Sequence, residues 1–85
     1  MELYLAGDLA GAEARLRNVL RTAPLLPEAH HHLAVVLHAR AQDAEAVALL
    51  ERALELNPHL TGARERLALY RSARAEASDS GSPRQ

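Results

Sequence analysis

The chain repeats itself every 34 residues. Sliding the 85-residue sequence against itself by that distance puts Leu3 on Leu37, Ala12 on Ala46, Leu16 on Leu50 and Leu20 on Leu54. The same shift puts Pro24 on Pro58, Ala29 on Ala63, Leu33 on Leu67 and Ala34 on Ala68, and 14 of the 51 overlapping positions are identical. An Ala- and Leu-rich composition inflates such a count, but the matched prolines do not follow from composition. A fixed period of this length is the mark of a stacked architecture, in which one supersecondary unit recurs and buries its apolar face on a neighbour.

Within each period the pattern predicts a helix, a short turn, a second helix and a proline stop. Pro27-Glu28 suits a helix start: Pro lacks only a donor that is orphaned in the first turn, and Glu complements the helix dipole. Ala29, Leu33, Val36 and Leu37 then recur at helical spacing. Gln42-Asp43 interrupts the run, and Asp43 is placed to cap the next helix. Ala46, Val47, Leu50, Ala53 and Leu54 form a second apolar stripe, ended by Asn57-Pro58. The hairpin before it reads alike, with Gly7-Asp8 as the turn, Leu9, Ala12, Leu16, Val19 and Leu20 as the stripe, and Pro24 as the stop. Glu13 and Arg17 stand four apart on that helix in the favourable order. A last helix, about Thr61 to Ala77, turns Leu60, Ala63, Leu67 and Tyr70 to one side and Arg64, Arg71 and Arg74 to the other, as a solvated end requires. Residues 78–85, SDSGSPRQ, lack apolar content and are expected to be disordered. The fold class is all-α.

Several function classes are disfavoured. A net charge of −1 gives no field that would draw the chain to nucleic acid. The apolar runs are far too short for a membrane span, and the acidic start MELYLAGDLAG does not read as a signal peptide. With no cysteine there is neither a disulfide framework nor thiolate chemistry. The absence of Lys, Ile and Phe, with all ten basic residues being Arg, is what a GC-rich genome produces and points to a bacterial source, and with neither leader nor span the expected setting is cytoplasmic. The run His30-His31-His32 with His38 invites a metal reading, but consecutive helical residues point about 100° apart and cannot chelate one ion. Glu28-x-x-His31 is half of a di-iron bundle motif, and no second Glu-x-x-His exists in the chain. No metal, no cofactor and no enzymatic activity are therefore expected.

Residues 27–58, PEAHHHLAVVLHARAQDAEAVALLERALELNP, resemble one tetratricopeptide repeat, whose pattern is W-x2-L-G-x2-Y, then A-x3-F, then P. Leu33-Ala34 stand at the L-G place and Leu37 at the Tyr place; Ala46 and Leu50 answer to A-x3-F, and Pro58 closes the unit. His30 departs from the pattern at the first large aromatic, on the core-facing arc, and Ala41 stands where members often have Gly between the helices.

The resemblance implies antiparallel helix-turn-helix repeats stacked as a short right-handed α-solenoid. Residues 1–77 would be the repeat domain: 1–24 a partial first repeat, 25–58 a full one, and 59–77 a terminal capping helix. It further implies a protein–protein interaction scaffold that holds a peptide or partner helix in its concave groove, on the first-helix face. On that face Glu28, His31, Val35 and His38 fall within an arc of about 80°, with Glu65 and Leu69 on the next first helix. This neutral-to-acidic set is no basic clamp for a carboxylate-ended peptide.

The alternative implied is an N-terminal repeat fragment of a larger bacterial enzyme, such as a sulfotransferase or glycosyltransferase carrying these repeats. Met1 aligns with Val35, midway through a first helix, leaving only a stub with Leu3, Tyr4 and Leu5 to cover the first stripe. The expectations there are a frame extending upstream, and either fraying of the first hairpin or a weak homodimer that covers it.

Overall fold

The computed structural model describes residues 8–80, and their side chains through residue 75. It contains α1 (Leu9–Thr22), α2 (Pro27–Ala39), α3 (Asp43–Leu56) and α4 (Ala63–Ser80), each packed on the next, with no strand among the described residues. The connections are too short to do anything but reverse the chain, so the helices form a stack of antiparallel hairpins.

Each helix end has a local cause. Asp8 caps α1 by accepting from the Gly11 amide at 3.0 Å, and a Cβ on Gly11 would run into that carboxylate. Pro27 opens α2, with Glu28 in its first turn. Asp43, expected to cap α3, does not do so: Gln42 holds the capping position without a side-chain bond, and Asp43 is the first helical residue. Its carboxylate instead accepts a hydrogen bond from His38 across the turn. A tight turn brings α2 close enough to compete for that oxygen.

The turn itself closes as a Schellman motif. The Gln42 amide donates to the Leu37 carbonyl at 2.8 Å and the Ala41 amide to His38 at 2.9 Å, which places Ala41 at φ 64°. A Cβ there is strained where Gly would not be. Ala41→Gly is expected to stabilise the protein by about 1 kcal/mol, read as a higher urea midpoint at unchanged slope. A lower midpoint would show that the loss of side chain and the freer unfolded chain outweigh relief of the turn.

The core lies between α2, α3 and α4. Leu33, Leu37, Leu50 and Tyr70 are the largest side chains fully buried in it, around Ala34 and Ala46, which are 0% exposed. The small residues let helix axes approach, and the leucines fill the space between them. His30 is also buried, as its core-facing position predicts; its Nε2–H donates to the Pro24 carbonyl at 2.9 Å and ties the α1–α2 loop to α2. Its Nδ1 has no partner among the described residues.

The two ends of the stack differ. In α1 only Ala12 is fully buried; Leu9, Leu16 and Leu20 are half-buried and Val19 is exposed. Residues 1–7, with the stub of Leu3, Tyr4 and Leu5, lie outside the described residues. At the other end, the period aligns Ala34 with Ala68 and Leu37 with Arg71. The α2 members of both pairs are buried and the α4 members exposed, because no further helix among the described residues covers α4. Arg71 reaches back to Glu51 at 2.6 Å, and Arg64 donates to the Pro58 carbonyl. The Glu13–Arg17 pair forms at 2.8 Å and extends to Glu45 of α3 and Arg40. These exposed contacts add little stability singly. The last helix begins at Ala63 rather than Thr61, since Gly62 sits at φ 80°, and it continues through Ser80, past the expected end at Ala77. Ser78, Asp79 and Ser80 are poor but tolerated helix formers, and no Gly or Pro lies between Ala63 and Gly81. Residues 81–85 of the expected tail lie outside the described residues.

Candidate partner-binding face

Six side chains were expected to line the groove, four on α2 and two on α4. Glu28, in the first turn of α2, and Glu65, in the first turn of α4, are exposed and form no ion pair or side-chain hydrogen bond among the described residues. Leu69 lies one turn after Glu65 and is 60% exposed. These three are free to meet a partner.

The other three are partly spent on the fold. Val35 is half-buried. His38 donates its Nδ1–H to Asp43 Oδ1 at 2.6 Å, which fixes its tautomer, and its ring stacks on buried Tyr70 with centroids 4.0 Å apart and planes 11° from parallel. His31 points at the start of α4: a Cβ built on Gly62 would meet its Cε1 at 3.8 Å. The His31 Nε2 is buried without a hydrogen-bond partner. Burial, then the Arg66 charge, then neighbouring His32 hold the His31 imidazole below its ordinary pKa of 6.5.

Two participants were absent from the expected set. Tyr70 supplies the surface on which His38 rests, and Arg66 brings a positive charge to His31 while its guanidinium lies 3.5 Å from the Tyr70 hydroxyl. The period carries a trace of the first: it aligns Tyr70 with Val36, a buried position of α2, so a ring there reaches back into the seam. Arg66 aligns with exposed His32 and carries no comparable signal. The histidines diverge. His31 and His32 ring centroids are 5.9 Å apart and tilted by 34°, and among the described residues no three potential metal ligands gather.

No helix among the described residues is long and apolar enough to cross a membrane. No curated protein and no solved structure matches the chain. The sequence profile of the tetratricopeptide repeat family matches residues 3–75, which includes all of α1, α2 and α3 and most of α4. Repeats of this family mediate protein–protein interaction. With four helices in paired, 34-residue register and a profile match over most of its length, the chain belongs to the tetratricopeptide repeat family.

Proposed function

We infer that the protein is a non-catalytic interaction module that holds a peptide or partner helix against the α2–α4 face. The observation that carries this reading is the state of Glu28, Glu65 and Leu69. Each is exposed, and none has a charged or hydrogen-bonding partner among the described residues. Leu69, 60% exposed one turn after Glu65, offers apolar contact area beside the acidic start of α4. The composition supports a bacterial, cytoplasmic setting, and nothing in the charge favours nucleic acid as the partner.

The test follows from which side chains are free. His31 and His38 make contacts within the fold, so replacing them confounds binding with stability. Changing Glu28, Glu65 and Leu69 together to Ala removes only exposed groups, whose loss shifts stability by about 0.5 kcal/mol or less per site. The partner should be captured with the wild-type chain, then titrated against the triple variant by calorimetry. Binding is expected to weaken by about tenfold or more, equivalent to about 1.4 kcal/mol, with the unfolding midpoint nearly unchanged. Equal affinity of the two proteins would remove this face from the site.

A further inference from the structure

Beside the core shared by α2, α3 and α4, the seam between α2 and α4 carries two histidines of unequal chemistry. Near the end of α2, His38 has an acceptor, Asp43 Oδ1 at 2.6 Å, and the face of Tyr70 at 4.0 Å. An imidazolium there keeps both contacts, since a carboxylate accepts from either form and an aromatic face attracts a cation. Near the start of α2, His31 has neither. Its Nε2 is shut from solvent with no partner among the described residues, and its Cε1 faces Gly62 at the start of α4. Among the described residues, the groups whose charge opposes a proton on this ring are Arg66 from α4 and His32 from its own helix. Glu28, one turn earlier on α2, and Glu65 on α4 are exposed and bonded to neither ring nitrogen, and α1 and α3 bring no charged group to it. A proton on His31 thus puts a cation in a half-buried position beside an arginine, where an N–H at Nε2 has no acceptor among the described residues.

We propose that this seam is an acid-sensitive hinge. Protonating His31 releases the first turns of α4 from α2, while the His38–Tyr70 stack keeps the following turns in place. Glu65 sits on the released part and Leu69 at its margin, whereas Val35 and Glu28 stay with α2, so acidification divides the partner-binding face. The hinge is a property of the fold and needs no ligand, so it stands or falls apart from the interaction reading above.

The direction of the effect follows from linkage. The closed seam holds His31 neutral and resists its proton; the open seam exposes it at the ordinary value near 6.5. The opened form therefore binds more protons. Closure is at full strength above about pH 6.5, weakens as pH falls from there to the lowered value of the closed seam, and levels off below it.

Amide exchange on the full chain between pH 7.5 and 5, corrected for the intrinsic pH dependence, reads this directly. Arg66, Leu67 and Ala68 should lose protection as pH falls below 6.5, with about tenfold per pH unit as the ceiling for one proton. Arg71, Ser72 and Ala73, beyond the stack, should change by less. His31→Gln, which cannot titrate, should flatten the response of residues 66–68, and Arg66→Gln should reduce it by removing the like charge. His32→Gln, at an exposed neighbour, should leave most of it. Should His31→Gln fail to fold, the contrast between the two segments and the Arg66→Gln response decide the matter. Equal loss of protection in both segments, or an undiminished response in His31→Gln or Arg66→Gln, overturns the hinge.

Discussion

Leu50→Ala is expected to cost about 3–4 kcal/mol and to leave the protein close to its unfolding transition at room temperature. Leu50 is 0% exposed and belongs to the cluster joining α2, α3 and α4, with Leu33, Leu37 and Tyr70. Truncation removes three carbons' worth of transfer free energy and leaves a cavity among groups that are already tightly packed. Domains of this size have a high surface-to-volume ratio and sit near the lower end of native stabilities, on the order of 5 kcal/mol. Most of that margin is therefore removed by one substitution. With a urea slope of about 1 kcal/mol per molar, the midpoint should drop by about 3 M. Leu69→Ala is the matched control: the same atoms are deleted from a side chain that is 60% exposed, and the change should stay within about 0.5 kcal/mol. If the two variants unfold at similar urea concentrations, the core does not centre on Leu50.

That contrast between two leucines was partly legible in the sequence. The 34-residue period and the 3.6-residue spacing place Leu33, Leu37, Ala46, Leu50 and Ala53 on inward arcs, and each is buried. Helical periodicity succeeds there because one side chain in three or four must face the neighbouring helix, whatever the details of packing. It also separates exposed Glu28, Glu65 and Leu69 from that core. What it does not reach is competition between equally good local options. A carboxylate at position 43 can cap a helix or receive a histidine, and only the distance across a turn decides between them. The sequence shows that Ala41 stands where Gly is common; that the turn there adopts φ 64° is a property of the closed Schellman geometry. Contacts between α2 and α4 are hardest of all. His38 and Tyr70 are 32 residues apart in sequence, and no periodic signal says that their rings will stack. Two of the six residues expected to line the groove, His31 and His38, therefore pack in the seam between α2 and α4.

Tyr70 is the residue on which that seam most depends, and its replacement is expected to have an effect as large as that of Leu50. The side chain is 1% exposed and is among the largest fully buried groups in the protein. It closes the core from α4 on one side and carries the His38 ring on its face. Tyr70→Ala should cost about 3–5 kcal/mol, the range for deleting a buried aromatic, and in this chain that approaches complete unfolding. Tyr70→Phe separates ring from hydroxyl. Among the described residues the hydroxyl meets only the Arg66 guanidinium, at 3.5 Å, the limit of a hydrogen bond, so its loss should cost under about 1 kcal/mol. The stack itself is isolated by a double-mutant cycle between His38→Ala and Tyr70→Leu, which keeps apolar volume while removing the ring. A coupling of about 0.5–1.5 kcal/mol is expected from two aromatic faces in this geometry. Additive losses in that cycle would mean that His38 is held by Asp43 alone. A Phe variant as unstable as the Ala one would place the weight on the hydroxyl, which the long Arg66 contact does not support. Either result would also remove the fixed point about which α4 is expected to open in acid.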